Sequence, residues 1–140
     1  MKLQYLKTFE NYGKYDKLVD FNTHPMLRGY IECALSVDLP EEHTGEIGSE
    51  DINENSLIEA SEDVRKFKEL AGNILDGMDK DTLKNVGMDF WYSRNGHGTG
   101  FWDYATTKRY PEDVANKLEE IAKTFPSKSV FVEGDEFIIE

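Results

Sequence analysis

Two stretches of the chain place apolar residues at every third or fourth position, which is the pattern of an amphipathic helix. The two apolar stripes consist of Leu57, Ala60, Val64, Phe67, Ala71 and Ile74, and of Val114, Ala115, Leu118, Ile121, Ala122 and Phe125. Asn53 or Ser56 can cap the first helix, whereas Pro111 suits the first position of the second. The pattern therefore predicts helices over residues 54–76 and 111–125.

A shorter apolar pattern follows Pro25, in the sequence MLRGYIECALS. Apolar residues recur there at steps of three and four, which predicts a short helix despite Gly29, with a strand as the alternative. Residues 36–52 contain one proline, two glycines and many acids, and we interpret them as a long loop. Residues 79–86 can add one more helical turn before Gly87.

Two further regions have the pattern of a β-hairpin, in which short aromatic or β-branched runs flank a glycine-containing turn. In residues 89–104 the runs DFWYSR and GFWDY flank NGHGTG, and in residues 129–140 the runs VFV and FII flank a Gly-Asp turn. The first hairpin would bring Arg94 and His97 together with its two tryptophans. We therefore expect a single α+β domain over residues 1–140, with two or three helices packed on a small antiparallel sheet built from two β-hairpins.

The negative charge of the chain is concentrated in one stretch. The net charge is −12, from 28 acidic and 16 basic residues, and residues 29–64 contain no lysine or arginine. The acids of this acidic window are Glu32, Asp38, Glu41, Glu42, Glu46, Glu50, Asp51, Glu54, Glu59, Glu62 and Asp63. Such a field repels nucleic acid and speeds association with basic protein surfaces.

The acidic window therefore predicts a protein partner with a basic surface and no direct nucleic-acid binding. The residues that we expect to form this acidic surface are Glu41, Glu42, Glu46, Glu50, Asp51 and Glu54. The alternative interpretation is a solvated loop that its charge keeps soluble.

The apolar composition and the cysteine content indicate the compartment. Cys33 is the single cysteine, which excludes an internal disulfide and is typical of a reducing environment. It lies within YIECAL without a basic neighbour, so we expect a buried, unreactive thiol. No run of 18 apolar residues is present, and the start of the chain does not have the pattern of a signal peptide. These features predict a soluble cytoplasmic protein without membrane contact.

The glycine-rich run NGHGTG is open to four interpretations. Its backbone N–H groups could cradle a phosphate, but phosphate-binding loops of this kind lead into a helix, whereas a strand is expected here. His97 could bind a metal, although no second ligand stands at a suitable spacing. It could also act in acid–base catalysis with Arg94 or Asp103, which requires a cleft. The fourth interpretation is a structural turn, in which glycines adopt positive φ angles and Arg94 pairs with Asp103 or Asp89.

Part of the acidic window also resembles an EF-hand calcium loop. The residues at positions 1, 3, 5 and 12 of that loop would be Asp51, Asn53, Asn55 and Glu62. Ser56, however, stands where the sharp turn requires glycine, and no helix is predicted before the loop. A capped helix start explains the same residues, and we expect neither a metal nor another cofactor.

Two segments, YIECAL at residues 30–35 and DFWYSRNGHGTGFWD at residues 89–103, resemble the signature of a family of small uncharacterised proteins of tailed bacteriophages and related bacteria. The resemblance covers most of residues 26–140. It departs from the family pattern at Ser36, where tryptophan is usual, and at Tyr104, where arginine is usual. The resemblance implies a phage origin, and with it the host cytoplasm, and an α+β fold. It implies no activity.

Two functions from different classes are consistent with these patterns. The first, which we favour, is a non-enzymatic accessory protein that binds a host-defence or nucleic-acid-handling protein. The second is a small enzyme or ligand-binding protein with a site around NGHGTG, in which Arg94, His97 and Asp103 are the catalytic candidates. The candidate binding residues are Trp91, Arg94, Asn95, His97, Trp102 and Asp103.

Overall fold

The computed structural model describes residues 24–40, 47–48, 51–103 and 108–140. Its elements are α1 (Pro25–Asp38), α2 (Glu54–Ala71), a 3₁₀-helix (Gly72–Leu75), α3 (Lys80–Arg94), a second 3₁₀-helix (Phe101–Asp103), α4 (Glu112–Ala122), β1 (Val130–Glu133) and β2 (Glu136–Ile139). The α+β class is confirmed. The described residues contain four α-helices and a single hairpin, so the expectation of two or three helices on two hairpins is wrong in both numbers.

Helix α1 confirms the short helix predicted after Pro25, and its glycine lies where α1 crosses α3. A Cβ on Gly29 would lie 2.1 Å from the carbonyl oxygen of Lys84, and a Cβ on Gly87 would lie 2.0 Å from that of Met26. The two backbones therefore approach too closely for a side chain at either position. This close approach explains why glycine occurs inside both helices.

Helix α2 begins after Asn53, whose side chain accepts hydrogen bonds from the N–H groups of Asn55 and Ser56. Asn53 and not Ser56 is thus the cap. The helix ends at Gly72, which has a φ of 61°, and the chain continues as a 3₁₀-helix to Leu75. The helix predicted over residues 54–76 is confirmed as far as Ala71, and a separate 3₁₀-helix takes the place of its last part.

The hairpin predicted over residues 89–104 is wrong. Helix α3 continues to Arg94, and a 3₁₀-helix follows at Phe101–Asp103, so the two aromatic runs do not pair as strands. Tyr104, the last residue of the predicted hairpin, lies outside the described residues.

The physical reason is packing. Asp79 caps α3 by accepting a hydrogen bond from the Thr82 N–H at 2.8 Å, so the predicted extra turn is the start of a longer helix. Val86, Phe90 and Trp91 are then fully buried. Aromatic residues favour strands only where they pack well, and here burial against the other helices outweighs that preference.

The C-terminal part of the chain agrees with the predictions. Helix α4 lies within the predicted range 111–125, although Pro111 precedes its first turn as the cap. The predicted hairpin over residues 129–140 is confirmed: Val130 pairs with Ile139 at one end and Glu133 with Glu136 at the other. Gly134, with a φ of 65°, allows the turn between them.

The helices and the hairpin share one hydrophobic core, in which Phe67 of α2 is central. Its ring stacks on Phe90 at a centroid distance of 4.4 Å and on Phe101 at 5.8 Å. The hairpin contributes Phe137 and Ile139, which are also buried. The core therefore joins all elements that carry the predicted site residues.

Candidate functional site

Arg94, the arginine of the signature, is enclosed in the core, with a side-chain exposure of 0%. Its Nη1 donates hydrogen bonds to Asp63 Oδ2 and to the Tyr30 hydroxyl, both at 2.8 Å. Its Nε and Nη2 donate to the carbonyl oxygen of Pro126 at 2.9 and 2.6 Å. Arg94 thus joins α3 to α1, to α2 and to the segment after α4, and no part of the guanidinium is open to a substrate.

The predicted pairing of Arg94 with Asp103 or Asp89 is therefore wrong. Asp89 is buried and accepts two hydrogen bonds from Arg109 Nη1, at 3.0 and 3.1 Å, and one from the Tyr110 hydroxyl at 2.8 Å. Burial raises the pKa of the Asp89 carboxyl, although its hydrogen bonds to Tyr110 and Arg109 oppose that effect. Asp89 fixes the segment that leads into α4.

Asp38, at the end of α1, contacts two of the predicted binding residues. Its Oδ2 accepts a hydrogen bond from Trp91 Nε1 at 2.6 Å and lies 3.0 Å from His97 Nε2. The ring of His97 packs edge-on against Tyr92, with a centroid distance of 5.7 Å. Trp91 is fully buried, whereas the side chain of His97 is 30% exposed. A histidine that a carboxylate orients and solvent reaches can exchange a proton or hold a hydrogen bond to a bound group.

The glycine-rich loop between α3 and the second 3₁₀-helix is held by side chains at its start. Ser93 Oγ donates a hydrogen bond to Glu119 Oε1 at 2.6 Å and accepts one from the Phe101 N–H at 3.1 Å. The carbonyl oxygen of the Asn95 side chain accepts a hydrogen bond from the Lys128 N–H at 2.7 Å. Asn95, a predicted binding residue, thus serves to attach the loop to the segment before β1.

The glycines of this loop support the interpretation as a structural turn. Gly96 and Gly100 have φ angles of 69° and 149°, which side-chain-bearing residues rarely adopt. Asp103 accepts a hydrogen bond from Thr99 Oγ1 at 3.3 Å, so the acid partner of His97 is Asp38 and not Asp103. Of the two tryptophans predicted to bind, Trp102 is 48% exposed, whereas Trp91 is fully buried.

Cys33 lies buried in α1. Burial raises the pKa of its thiol to about 12, although a hydrogen bond with Tyr92 opposes the effect. Little thiolate forms near neutral pH at such a pKa, and the thiolate is the reactive form of cysteine. The structure thus agrees with the prediction of an unreactive thiol.

Several carboxylates of the acidic window are partly buried and pair with other side chains. Asp38 and Asp63 bond to the signature residues described above, and Glu32 pairs with Arg28 at 2.9 Å and with Lys84 at 3.2 Å. Among the residues of the predicted acidic surface, Asp51 accepts a hydrogen bond from the Gly48 N–H and Glu54 lies in the first turn of α2. The remaining four, Glu41, Glu42, Glu46 and Glu50, lie outside the described residues. Much of the described charge therefore stabilises the fold.

A groove of about 650 Å³ lies between the start of α1, the second half of α2 and the start of α3. Met26, Val64 and Leu83 are among its apolar lining residues, and Glu62 and Lys68 are among the charged residues that line it. Glu62 belongs to the acidic window, so the window and the groove meet on α2. The predicted site residues, from Trp91 to Asp103, do not line this groove.

Sequence reasoning missed the partners of the signature residues. Asp63 and Asp38 lie 31 and 53 positions before the residues that they bond, Arg94 and Trp91. No local spacing indicates such contacts. The residue types of Arg94 and Trp91 gave the only signal, because a buried guanidinium or indole N–H requires an acceptor somewhere in the chain.

Comparison of the chain with protein-family models, with curated proteins and with solved structures yields no match. The resemblance to a phage family therefore stays a prediction. Within the described ranges, no three histidine, cysteine or acidic side chains converge as a metal site would require. Each helix in the same ranges is too short or too polar to cross a bilayer.

Proposed function

We propose that this chain is an accessory protein of tailed-phage type that acts by binding another protein, and not by catalysis. The partner that we propose carries a basic surface, as a host-defence or nucleic-acid-handling protein does where it contacts phosphates. A net charge of −12 increases the rate at which such a partner is met.

The observation that carries this proposal is the groove beside the exposed face of α2. It combines an apolar lining, which includes Val64 and Leu83, with three acids that outnumber its lysine and arginine: the acids are Glu62, Glu69 and Asp76, and the bases are Arg65 and Lys68. Interfaces commonly combine a buried apolar centre with a polar rim. We therefore propose that an amphipathic segment of the partner occupies the groove, with apolar side chains inward and basic side chains toward Glu62.

The alternative function, an enzyme or small-ligand protein centred on NGHGTG, has less support. All three of its catalytic candidates have partners within the fold: Arg94 is enclosed by Asp63 and Pro126, Asp103 bonds to Thr99, and His97 lies 3.0 Å from Asp38. The side chain of His97 is 30% exposed, as such a site requires, but His97 does not line the groove.

The proposal is tested with two charge-reversal variants on exposed helix positions. Glu62→Lys alters the groove, whereas Glu120→Lys makes the same change of charge on α4. The protein and both variants are used to capture a partner from host lysate at low salt, and the affinity of the purified pair is then measured. We expect Glu62→Lys to weaken binding on the order of tenfold, equal to about 1.4 kcal/mol, and Glu120→Lys to leave it nearly unchanged.

Two results would overturn the proposal. One is that no stoichiometric partner is captured at low salt. The other is that the partner binds both variants as tightly as the original protein, which would move the contact away from the groove. A loss that follows His97→Gln and not Glu62→Lys would favour the alternative site.

A further inference from the structure

The two edges of the C-terminal hairpin differ in how their backbone groups are satisfied. Along the outer edge of β2, the Phe137 carbonyl oxygen accepts a hydrogen bond from the Asn53 N–H at 2.8 Å. The Ile139 N–H donates to Ser56 Oγ at 3.0 Å, and the same hydroxyl donates to the Ile139 carbonyl oxygen at 3.3 Å. The start of α2 thus closes this edge.

The register of the hairpin shows which groups of β1 point outward. Ser129 and Glu140 exchange two backbone hydrogen bonds, at 2.8 and 3.0 Å, and Phe131 lies opposite Ile138. Hydrogen-bonded and non-hydrogen-bonded pairs alternate along an antiparallel ladder. Phe131 therefore bonds toward β2, whereas the N–H and C=O groups of Val130 and Val132 point away from it.

No hydrogen bond joins these outward groups of Val130 and Val132 to another described residue. Val130 is nearly buried, at 6% exposure, whereas Val132 is partly exposed and its neighbour Phe131 is 49% exposed. Among the described residues, the open part of the edge therefore centres on Val132. An unpaired strand edge beside an exposed aromatic side chain is a template for another strand.

The charge around this edge indicates the occupant. Residues 129–140 contain four acids and no lysine or arginine, and the acids at the end of β1 are Glu133 and Asp135. A second copy of this chain, paired through the same edge, would place these acids next to the same acids of the first copy, and that repulsion is unfavourable. A strand with lysine or arginine at alternate positions would instead pair its charges with them.

We propose that the outer edge of β1 binds an extended basic segment of a partner protein by strand addition, a recognised mode of peptide recognition. This inference goes beyond the proposed function, because it assigns a second surface on other elements and does not depend on the groove. Backbone groups of Val132 provide the hydrogen bonds, Phe131 provides apolar contact, and the acids select a basic sequence.

The first test is amide hydrogen exchange in the free protein, followed by NMR. The Ile139 amide is the matched control, since it points outward from β2 but has Ser56 as its acceptor. We expect the Val132 amide to exchange at least about tenfold faster than the amides of Ile139 and Phe131. Equal protection of Val132 and Ile139 would overturn the proposal, because the edge would then already be occupied.

The second test is titration with a synthetic seven-residue peptide of alternating lysine and valine. We expect saturable chemical-shift changes at Val130–Glu133 and slower exchange of the Val132 amide. A glutamate–valine peptide of the same length should bind at least about tenfold more weakly, and a peptide with proline at its centre should not protect Val132. No change at β1, or changes only at groove residues such as Leu83, would overturn the inference; the latter would leave the groove proposal intact.

A proline substitution tests the outward N–H of Val132 directly. Val132→Pro removes an outward N–H and no hydrogen bond to β2, which proline tolerates on an edge strand, whereas Ser127→Pro makes the same kind of change just before the strand. We expect Val132→Pro to abolish the peptide-induced shifts and Ser127→Pro to retain them. If Val132→Pro does not fold, the exchange and peptide measurements on the original protein still decide.

Discussion

The contact between α1 and α3 and the C-terminal hairpin satisfy their polar groups in opposite ways. Around the helix contact, buried side chains such as Asp89 and Arg94 have full sets of partners, and no described buried side-chain nitrogen or oxygen lacks one. In the hairpin, one backbone edge is closed by Asn53 and Ser56, while the other has no partner among the described residues. A signature that looks like a site from its sequence thus stabilises the fold, and the two surfaces that we propose for binding lie elsewhere.

The largest effect that would test this contrast is expected from Arg94→Met. The substitution keeps much of the apolar stem but leaves the Tyr30 hydroxyl, the Asp63 carboxylate and the Pro126 carbonyl without their donor. Removing one partner of a buried ion pair costs about 3–5 kcal/mol of unfolding free energy. Urea denaturation followed by tryptophan fluorescence measures it.

The control for that substitution is Arg65→Met. Arg65 pairs with Glu69 at 2.8 Å but is 65% exposed, so we expect a loss below about 1 kcal/mol. If both variants lose the same unfolding free energy, Arg94 does not join the helices as we infer, and the hypothesis that it contacts a ligand would have to be reconsidered.

The next effect is expected at the helix crossing, from Gly87→Ala. In a helix, alanine normally stabilises relative to glycine by roughly 0.5–1 kcal/mol. At Gly87 the new Cβ would meet the backbone oxygen of Met26, so the helices must separate and we expect a loss of about 1–3 kcal/mol. Thermal denaturation gives the sign directly.

Gly98→Ala is the matched control, because a Cβ at Gly98 would meet nothing within 4 Å. We expect this variant to lie within about 0.5 kcal/mol of the original protein. Stabilisation by Gly87→Ala would contradict the close approach of α1 and α3.

The sequence predicted those elements whose signals are local. The stripe from Leu57 to Ala71 lies within α2 and the Gly-Asp turn lies within the hairpin, and both predictions are confirmed there. The cap at Asn53 also acts over two or three positions, so it was among the candidates read from the sequence.

The prediction failed for α3, which is buried on more than one side. Phe90 and Trp91 are neighbours in sequence and both are fully buried, so the apolar residues of α3 do not form a single stripe with a polar opposite face. An aromatic, glycine-flanked run without helical periodicity is then typical of a strand. The candidate site failed for a related reason: Asp63 and Asp38, the partners of Arg94 and Trp91, come from distant parts of the chain.

A comparable effect would test the closed edge of the hairpin. Ser56→Ala removes the hydroxyl that bonds both the N–H and the C=O of Ile139, in a buried position. We expect a loss of about 1–3 kcal/mol and an increase in Ile139 amide exchange toward the rate of Val132. Ser61→Ala is the control, since Ser61 Oγ only adds a hydrogen bond to the Leu57 carbonyl oxygen within α2. Unchanged Ile139 exchange in Ser56→Ala would remove the difference between the two edges.

The smallest effect concerns the solvent side of the helix contact, where Glu32 of α1 pairs with Arg28 and with Lys84 of α3. Burial acts to raise the pKa of Glu32, but the hydrogen bonds from Arg28 and Lys84 outweigh it, so its pKa lies below the ordinary glutamate value. A lowered pKa in the folded state means that the pair stabilises the fold above the ordinary glutamate pKa. That stabilisation is lost as the pH falls through the lowered pKa.

Glu32→Gln should therefore cost less than about 1 kcal/mol near neutral pH, because the side chains of Lys84 and Glu32 are 41% and 33% exposed and solvent screens their charges. The difference in unfolding free energy between the original protein and this variant should vanish as the pH is lowered past the folded pKa of Glu32. Glu120→Gln, on the exposed face of α4, is the control and should lie within about 0.5 kcal/mol of the original protein near neutral pH. A Glu32→Gln cost that stays constant with pH would mean that side-chain packing, and not charge, joins α1 to α3 at this point.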